Sequence, residues 1–371
     1  MKNYLIILLV VLFIIAYYKN ISKKNIENFN DNFLRNDDKL LEIMLNAIGP
    51  LTNKNQNNSN YSKMKTIEPT IDIGGWNNIK MAFEIIVCLA TKYDRALVIP
   101  EKTQWYLVEG SDTHLFDFFD ENTFKSFVKT SNVRNNNDEF KFENNCLIKT
   151  TSAMNENDFN EFDKISHYKN WKIDSKKCRH FTYYARHFKE NKYHNLVNKA
   201  FRLRKDIIVE ACKLLNKHDL ELGKYIAIHI RKGEFQYRDE LWGNDTVGRI
   251  KSKINKISKN LPILIVSDEY NKQLIDGLSK ISPKVVCWSK QKILNPKIDP
   301  IIDMVCCVPA KHFFGTSLST FSTGIMQWRG YLKSSGNNEI DDNPYFFQDQ
   351  SFCESCAGDI EPDSWRNISF N

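Results

Sequence analysis

Two α/β units in tandem, each a parallel sheet covered by helices, behind an N-terminal membrane segment, are the architecture this sequence predicts. Three observations predict it: a regular strand-helix alternation from residue 223 onward, a β-α-β opening near residue 70, and a charge-free apolar run at the start of the chain. A chain of 371 residues with 42% hydrophobic composition buries a large core, and its length suggests two domains rather than one.

The alternation is clearest in the second half. Strand Tyr225 to Ile230 is followed by a helix over about 246–259, strand Pro262 to Ser267, a helix over 270–281 and strand Lys284 to Trp288. A helix over 299–308, a strand over 311–314 and a helix over 319–332 complete the series. Upstream, the strand-like TIDIGG from Thr70 leads into a helical pattern from Asn77 to Tyr93 and then the apolar strand Ala96 to Pro100. One helical region, with Leu196, Ala200, Leu203, Ile207 and Cys212 at helical spacing, extends to about Lys217, and Gly223 ends it. The polar patch over 131–145 and the Asn- and Asp-rich sequence to about 164 read as surface loop.

At the N-terminus, Leu5 to Tyr18 is apolar and uncharged, between Lys2 and Lys19. It is somewhat short of the roughly 20 residues of a full span, so an anchor over 4–18 and a cleavable signal peptide compete. Tyr17 and Tyr18 favour the anchor, because large rings suit a membrane interface and not a signal-peptidase site. The lysines after the segment favour a cytoplasmic C-terminal side. Residues 20–68, rich in Asn, Lys and Ser, read as a stem in which only Leu40 to Ile48 resembles an amphipathic helix. The net charge of +7 is a mild excess over a large surface; it suits a small anionic ligand and does not call for nucleic acid. The nine cysteines form no regular framework and leave the redox compartment open.

Three motifs carry chemistry. The apolar strand Tyr225 to Ile230 ends in His229-Ile230-Arg231-Lys232-Gly233-Glu234. An arginine at a buried strand end needs an anion, either a ligand phosphate matched by its planar fork or a nearby carboxylate. In Gly315-Thr316-Ser317-Leu318-Ser319-Thr320-Phe321-Ser322 a strand passes through glycine into hydroxyl residues that open a helix. That is an anion site or plain N-capping. Gly74-Gly75-Trp76-Asn77-Asn78 follows a strand and starts a helix, and paired glycines admit a ligand close to the backbone. Ligands of open α/β sheets bind beyond the carboxyl ends of the strands, where all three motifs fall.

With their neighbours, these motifs resemble the GDP-fucose O-fucosyltransferase family over about residues 70–331. The resemblance rests on GGWNN with ALVIPE, on LFDFFDENTF at 115–124, on HIRKGE at 229–234, and on Ser319 to Ser322 with Arg329 after them. It implies a GT-B-like fold, two Rossmann-like domains facing a cleft, with 69–222 on the acceptor side, 223–335 binding the nucleotide sugar and 336–371 as a tail. It implies an inverting transferase that moves fucose from GDP-fucose to a hydroxyl of a protein or glycan without a metal or other cofactor; no Asp-x-Asp pair stands in the sequence. Arg231 would bind the β-phosphate. Gly75, Trp76, Asn77 and His229 would line the donor site, Ser319, Thr320 and Phe321 would hold phosphate or nucleoside, and Asp303 is either a guanine or ribose contact or an ordinary helix-start carboxylate. Some family members place a catalytic Glu where this chain has Gly74, so Asp72 is the candidate base. That departure keeps two alternatives open: a catalytically silent nucleotide-sugar or glycan-binding protein on the same fold, and a transferase for another nucleotide sugar. The expected location is a single membrane span in the secretory pathway (endoplasmic reticulum or Golgi), lumen-facing against the lysine bias.

Overall fold

The computed structural model describes residues 39–51, 64–70, 74–101, 105–106, 113–131, 145–149, 160, 162–174, 184–231, 246–257, 260–268, 272–287, 298–316, 319–341 and 345–346. In chain order the elements are α1 (39–48), β1 (Thr66–Thr70), β2 (Gly74–Gly75), α2 (Trp76–Lys92), β3 (Ala96–Val98), β4 (Trp105–Tyr106), a 3-10 turn (Leu115–Asp117), α3 (Glu121–Phe127), β5 (Thr130–Ser131), β6 (Asn145–Lys149) and β7 (Asn170–Asp174). Then follow α4 (Asn191–Ala200), α5 (Lys205–Lys217), β8 (Ile226–Ile230), α6 (Thr246–Ile257), β9 (Ile263–Ser267), α7 (Lys272–Leu278), β10 (Val285–Cys287), α8 (Asp299–Cys307), β11 (His312–Gly315), α9 (Thr320–Ser334) and β12 (Tyr345–Phe346). Two five-stranded sheets result, ordered β5-β3-β1-β7-β6 and β10-β9-β8-β11-β12, with every strand pair parallel.

The second sheet follows from a period of two. Ile226, Ile228 and Ile230 point to one face and pack with Ile250 and Ile254 of α6 and Leu274 and Leu278 of α7. Tyr225 and Ala227 point to the other face, into a core shared with α2, α5, α8 and α9. Strand order reverses between β8 and β11, which opens a crevice at their carboxyl ends. In the first sheet the corresponding reversal falls at β1, the strand that leads toward the Gly74-Gly75 turn.

Helices α2 and α9 join the two halves. Trp76 packs on Trp328 with ring centroids 5.7 Å apart. Below it Lys80 pairs with Glu84 and donates to Gln327 Oε1 at 2.5 Å, all three buried. An ion pair removed from water costs several kcal/mol of hydration per ion, and here the Gln327 amide of α9 offsets part of it by accepting from Lys80 and donating to Glu84 Oε1 at 3.2 Å. Gly324 makes the approach possible, since a Cβ there would meet Asn77 Oδ1 at 2.4 Å. Further along α9, the fully buried Arg329 donates to the carbonyls of Cys307 (3.2 Å), Val308 (2.8 Å), Ala310 (2.7 Å), Lys311 (3.1 Å) and Asp341, and so closes the C-terminal end of α8.

Several elements differ from the sequence expectation. The first strand begins at Thr66 and contains Pro69, which lies beyond the β3 pairing of Thr66 and Ile67, where no amide is needed. Strand β6 occupies part of the stretch read as loop, and β7 adds a partner for β1. The helical region ending at Lys217 is two helices. Between them Arg202 donates to the carbonyls of Asn46 and Ala47, while Leu203 N-H bonds Ile48 O at 2.8 Å, and these long-range bonds pull the chain out of helix. The same bonds dock α1, whose Leu40, Met44, Ala47 and Ile48 are buried, so part of the stem segment packs on the core. Among the described residues no helix is long and apolar enough to cross a membrane; the anchor expected over 4–18 lies outside them.

Candidate functional site

Register brings the site together at the carboxyl edge of the second sheet. Ile230 lies opposite Ser267, so the next residues of β8 and β9, Arg231 and Asp268, emerge side by side. Arg231 Nε stands 3.5 Å from Asp268 Oδ2, and the arginine side chain is 15% exposed. The carboxylate alternative for the strand-end arginine is therefore present, but at a separation longer than the roughly 2.7–2.9 Å of a tight charge-assisted bond. Asp268 went unnoticed in the sequence, although the apolar run ILIVSD ends in a carboxylate just as IAIHIR ends in a cation.

On the opposite side of β8, β11 delivers Thr316. Its hydroxyl accepts from Arg231 N-H (3.0 Å) and donates to the His229 carbonyl (3.1 Å), while its own N-H donates to Ser322 Oγ (2.9 Å). Ser322 Oγ is in turn 2.8 Å from His229 Nδ1. This closed ring ties the ends of β8 and β11 to the first turn of α9 and fixes the backbone from which Arg231 projects. Gly315 leaves room for it, since a Cβ there would meet Ser322 Oγ at 2.9 Å. His229 is buried and stacks on Phe321 with centroids 4.5 Å apart. Burial, together with the Arg231 charge, pushes its pKa down to about 3.

That shift fixes a pH dependence. In the unfolded chain the imidazole returns to about 6.5 and binds a proton that the native state refuses. Stability is full above that pH and declines as pH falls toward about 3, by about 2–3 kcal/mol at pH 4.5 from this group alone. Urea denaturation at pH 7.5 and 4.5 should show the decline, and His229→Gln should shrink it. An identical decline in the variant would mean that His229 is not held neutral.

The remaining predicted residues divide. Ser319 is buried and precedes α9 without making a side-chain cap, so plain N-capping is not its role. No acidic residue stands in the first turn of α9, which keeps the positive dipole end uncompensated from within the helix. The Thr320 carbonyl accepts from Asn77 Nδ2, and Phe321 supports His229. Asn77 thus bolts α2 to α9, and Trp76, 4% exposed, packs among Phe118, Phe119 and Trp328. The sequence pattern cannot show this, because both residues start a helix whose partner is 243 residues away. Among the described residues, a Cβ at Gly75 would meet nothing nearer than Asn78 Nδ2 at 4.0 Å. Asn78, which the sequence does not assign to the site, carries a buried Oδ1 without a partner among the described residues. Asp303 is half-buried on α8, one turn after Asp299. Asp72 and the anchor segment lie outside the described residues. No group of three or more His, Cys, Asp or Glu able to hold a metal occurs among the described residues.

A strand-end arginine and a hydroxyl ring at the first turn of α9 thus meet at the switch point of the second sheet, the position at which open α/β folds bind ligands. The family model for GDP-fucose protein O-fucosyltransferase matches residues 70–332, and the chain belongs to that family. It is 27% identical over 121 residues to GDP-fucose protein O-fucosyltransferase 2 of Homo sapiens and of Pan troglodytes. That match spans 30% of this chain and 27% of each relative. An arginine-to-lysine mutant of Arabidopsis thaliana FUT1 in complex with GDP shares the fold at TM-score 0.50 and 11% identity, covering 79% of this chain and 72% of that one. POFUT1 in complex with GDP-fucose aligns at TM-score 0.48 and 12% identity over 78% of this chain and 99% of that one.

Proposed function

We propose that this chain is an inverting, metal-independent glycosyltransferase that moves fucose from GDP-fucose to a hydroxyl of a protein or glycan. The observation that carries the reading is Arg231, held at the switch point by the Thr316 ring within a chain of this family. The GDP complex of Arabidopsis FUT1, on the same fold, supports a guanine-nucleotide donor. As the glycosidic bond breaks, negative charge grows on the β-phosphate and the sugar becomes oxocarbenium-like. A preorganised guanidinium lowers that barrier because it needs no reorganisation when the charge appears. Gly75, Ser319 and the first turn of α9 supply backbone approach and dipole around the phosphates, Asn78 offers its unpartnered carbonyl, and Asp303 serves the nucleoside. In this reading the two sheets form the GT-B pair, 69–222 on the acceptor side and 223–335 on the donor side. The segment over 4–18 tethers the enzyme, facing the lumen of the secretory pathway. Asp72 remains the proposed base.

A second reading, nucleotide-sugar binding without turnover, is favoured by Gly74 where some family members carry the catalytic Glu. Donor hydrolysis by the full-length chain with and without EDTA separates the two. Fucose release that EDTA leaves unchanged supports the metal-independent enzyme. Loss with EDTA overturns metal independence, and GDP-fucose binding with neither hydrolysis nor transfer across an acceptor panel favours the binding protein.

A further inference from the structure

The first sheet carries its own cleft, away from the arginine. About 300 Å³ in volume, it opens at the carboxyl ends of β3 and β5 and is walled by Glu101, His114, Phe116, Glu121, Lys125 and Thr130. Sheet order puts β3 next to β1 and β5 next to β3, so the cleft lies within about 10 Å, laterally, of the strand that leads to the Gly74-Gly75 turn.

Its walls are preset. The Phe116 N-H donates to His114 Nδ1 at 3.2 Å and the His114 N-H donates to Asp117 Oδ2 at 2.8 Å, a capping box that orients the imidazole. With Nδ1 accepting, the neutral ring carries its proton on Nε2, a fixed donor. Lys125 is held by Glu121 at 2.5 Å and lies 5.7 Å from the Phe116 ring centroid. Phe118, Phe119 and Phe124 are wholly buried nearby, whereas Phe116 stays partly open.

We infer that this cleft binds one neutral sugar ring of the acceptor. Among the described lining residues, two carboxylates against one ammonium disfavour an anion, and Lys125 disfavours a cationic side chain. Hydroxyl groups, which both donate and accept, match the alternation of carboxylates, Nε2-H and Thr130, and an aromatic ring suits the apolar face of a pyranose. The volume stands at the low end of the range of about 300–1,000 Å³ for small-ligand sites, so it takes a ring and not an extended peptide. The assignment rests on the transferase reading for the word acceptor, but the binding itself does not.

Saturation-transfer NMR on the full-length chain tests it, with N-acetyllactosamine, chitobiose and maltotriose as probes and a sugar-free Ser/Thr peptide as comparison. At least one probe sugar should bind. Glu101→Ala, at an exposed position, and Phe116→Leu should each weaken it by about tenfold or more, while Arg231→Ala leaves it unchanged. If no probe binds, if both cleft variants bind as well as wild type, or if only the peptide binds, the inference is overturned. Sugar binding in a chain that ignores GDP-fucose would sink the donor reading and leave this one standing.

Discussion

Arg231→Ala lowers fucosyl transfer by about 10²–10³-fold while the protein stays folded, and Arg231→Lys recovers less than about a tenth of the lost rate. The guanidinium projects from a backbone amide fixed by Thr316, beside Asp268 and not beneath the core, so its removal creates no large cavity. Lysine keeps the charge but presents a point cation on a flexible stem, which cannot engage two phosphate oxygens in one plane. Initial rates with GDP-fucose at saturating acceptor check this, with thermal unfolding as the folding control. Full activity in Arg231→Lys would show that charge alone suffices and would remove the bidentate role.

Arg329→Met destabilises the chain by about 3–5 kcal/mol, a large share of the about 5–15 kcal/mol typical of a folded domain. Arg329 follows the Ser319 to Ser322 motif and is one of the residues on which the family resemblance rests. The structure buries it completely and gives its donors to five carbonyls around the end of α8. Methionine fills the space but removes the Arg329 donors from those carbonyls, of which Lys311 O keeps a second donor, the Asp341 N-H at 2.7 Å. Arg329→Lys restores only part of the loss, since one ammonium has three donors. Urea denaturation measures the effect; a variant as stable as wild type but inactive would move Arg329 from the scaffold to the site.

What the sequence displayed and what it hid have physical reasons. The strands of the second sheet were readable because β8, β9 and β11 are apolar runs cut off by polar or glycine residues, and their carboxyl ends are where such folds bind ligands. Strand β7, NWKID, was not readable because only Trp171 and Ile173 face the core and five residues of mixed polarity carry little signal. Arg231 was found as a cation at the end of a buried strand. Its setting was not, because the Asp268 neighbour and the Thr316 ring depend on strand register, which no local pattern encodes. The contacts of Asn77 and Trp76 with α9 are hidden for a related reason: a helix N-terminus beside a glycine turn looks the same whether its side chains meet a ligand or another helix.

The central claim is that the Arg231 crevice binds a guanosine-diphosphate sugar. Calorimetric titration of the full-length chain with GDP-fucose, beside GDP-mannose and UDP-glucose, tests it most directly. GDP-fucose should bind with an affinity that UDP-glucose does not match and that Arg231→Ala weakens by about tenfold or more. No heat of binding with GDP-fucose at millimolar concentration, or binding that Arg231→Ala leaves intact, would contradict it.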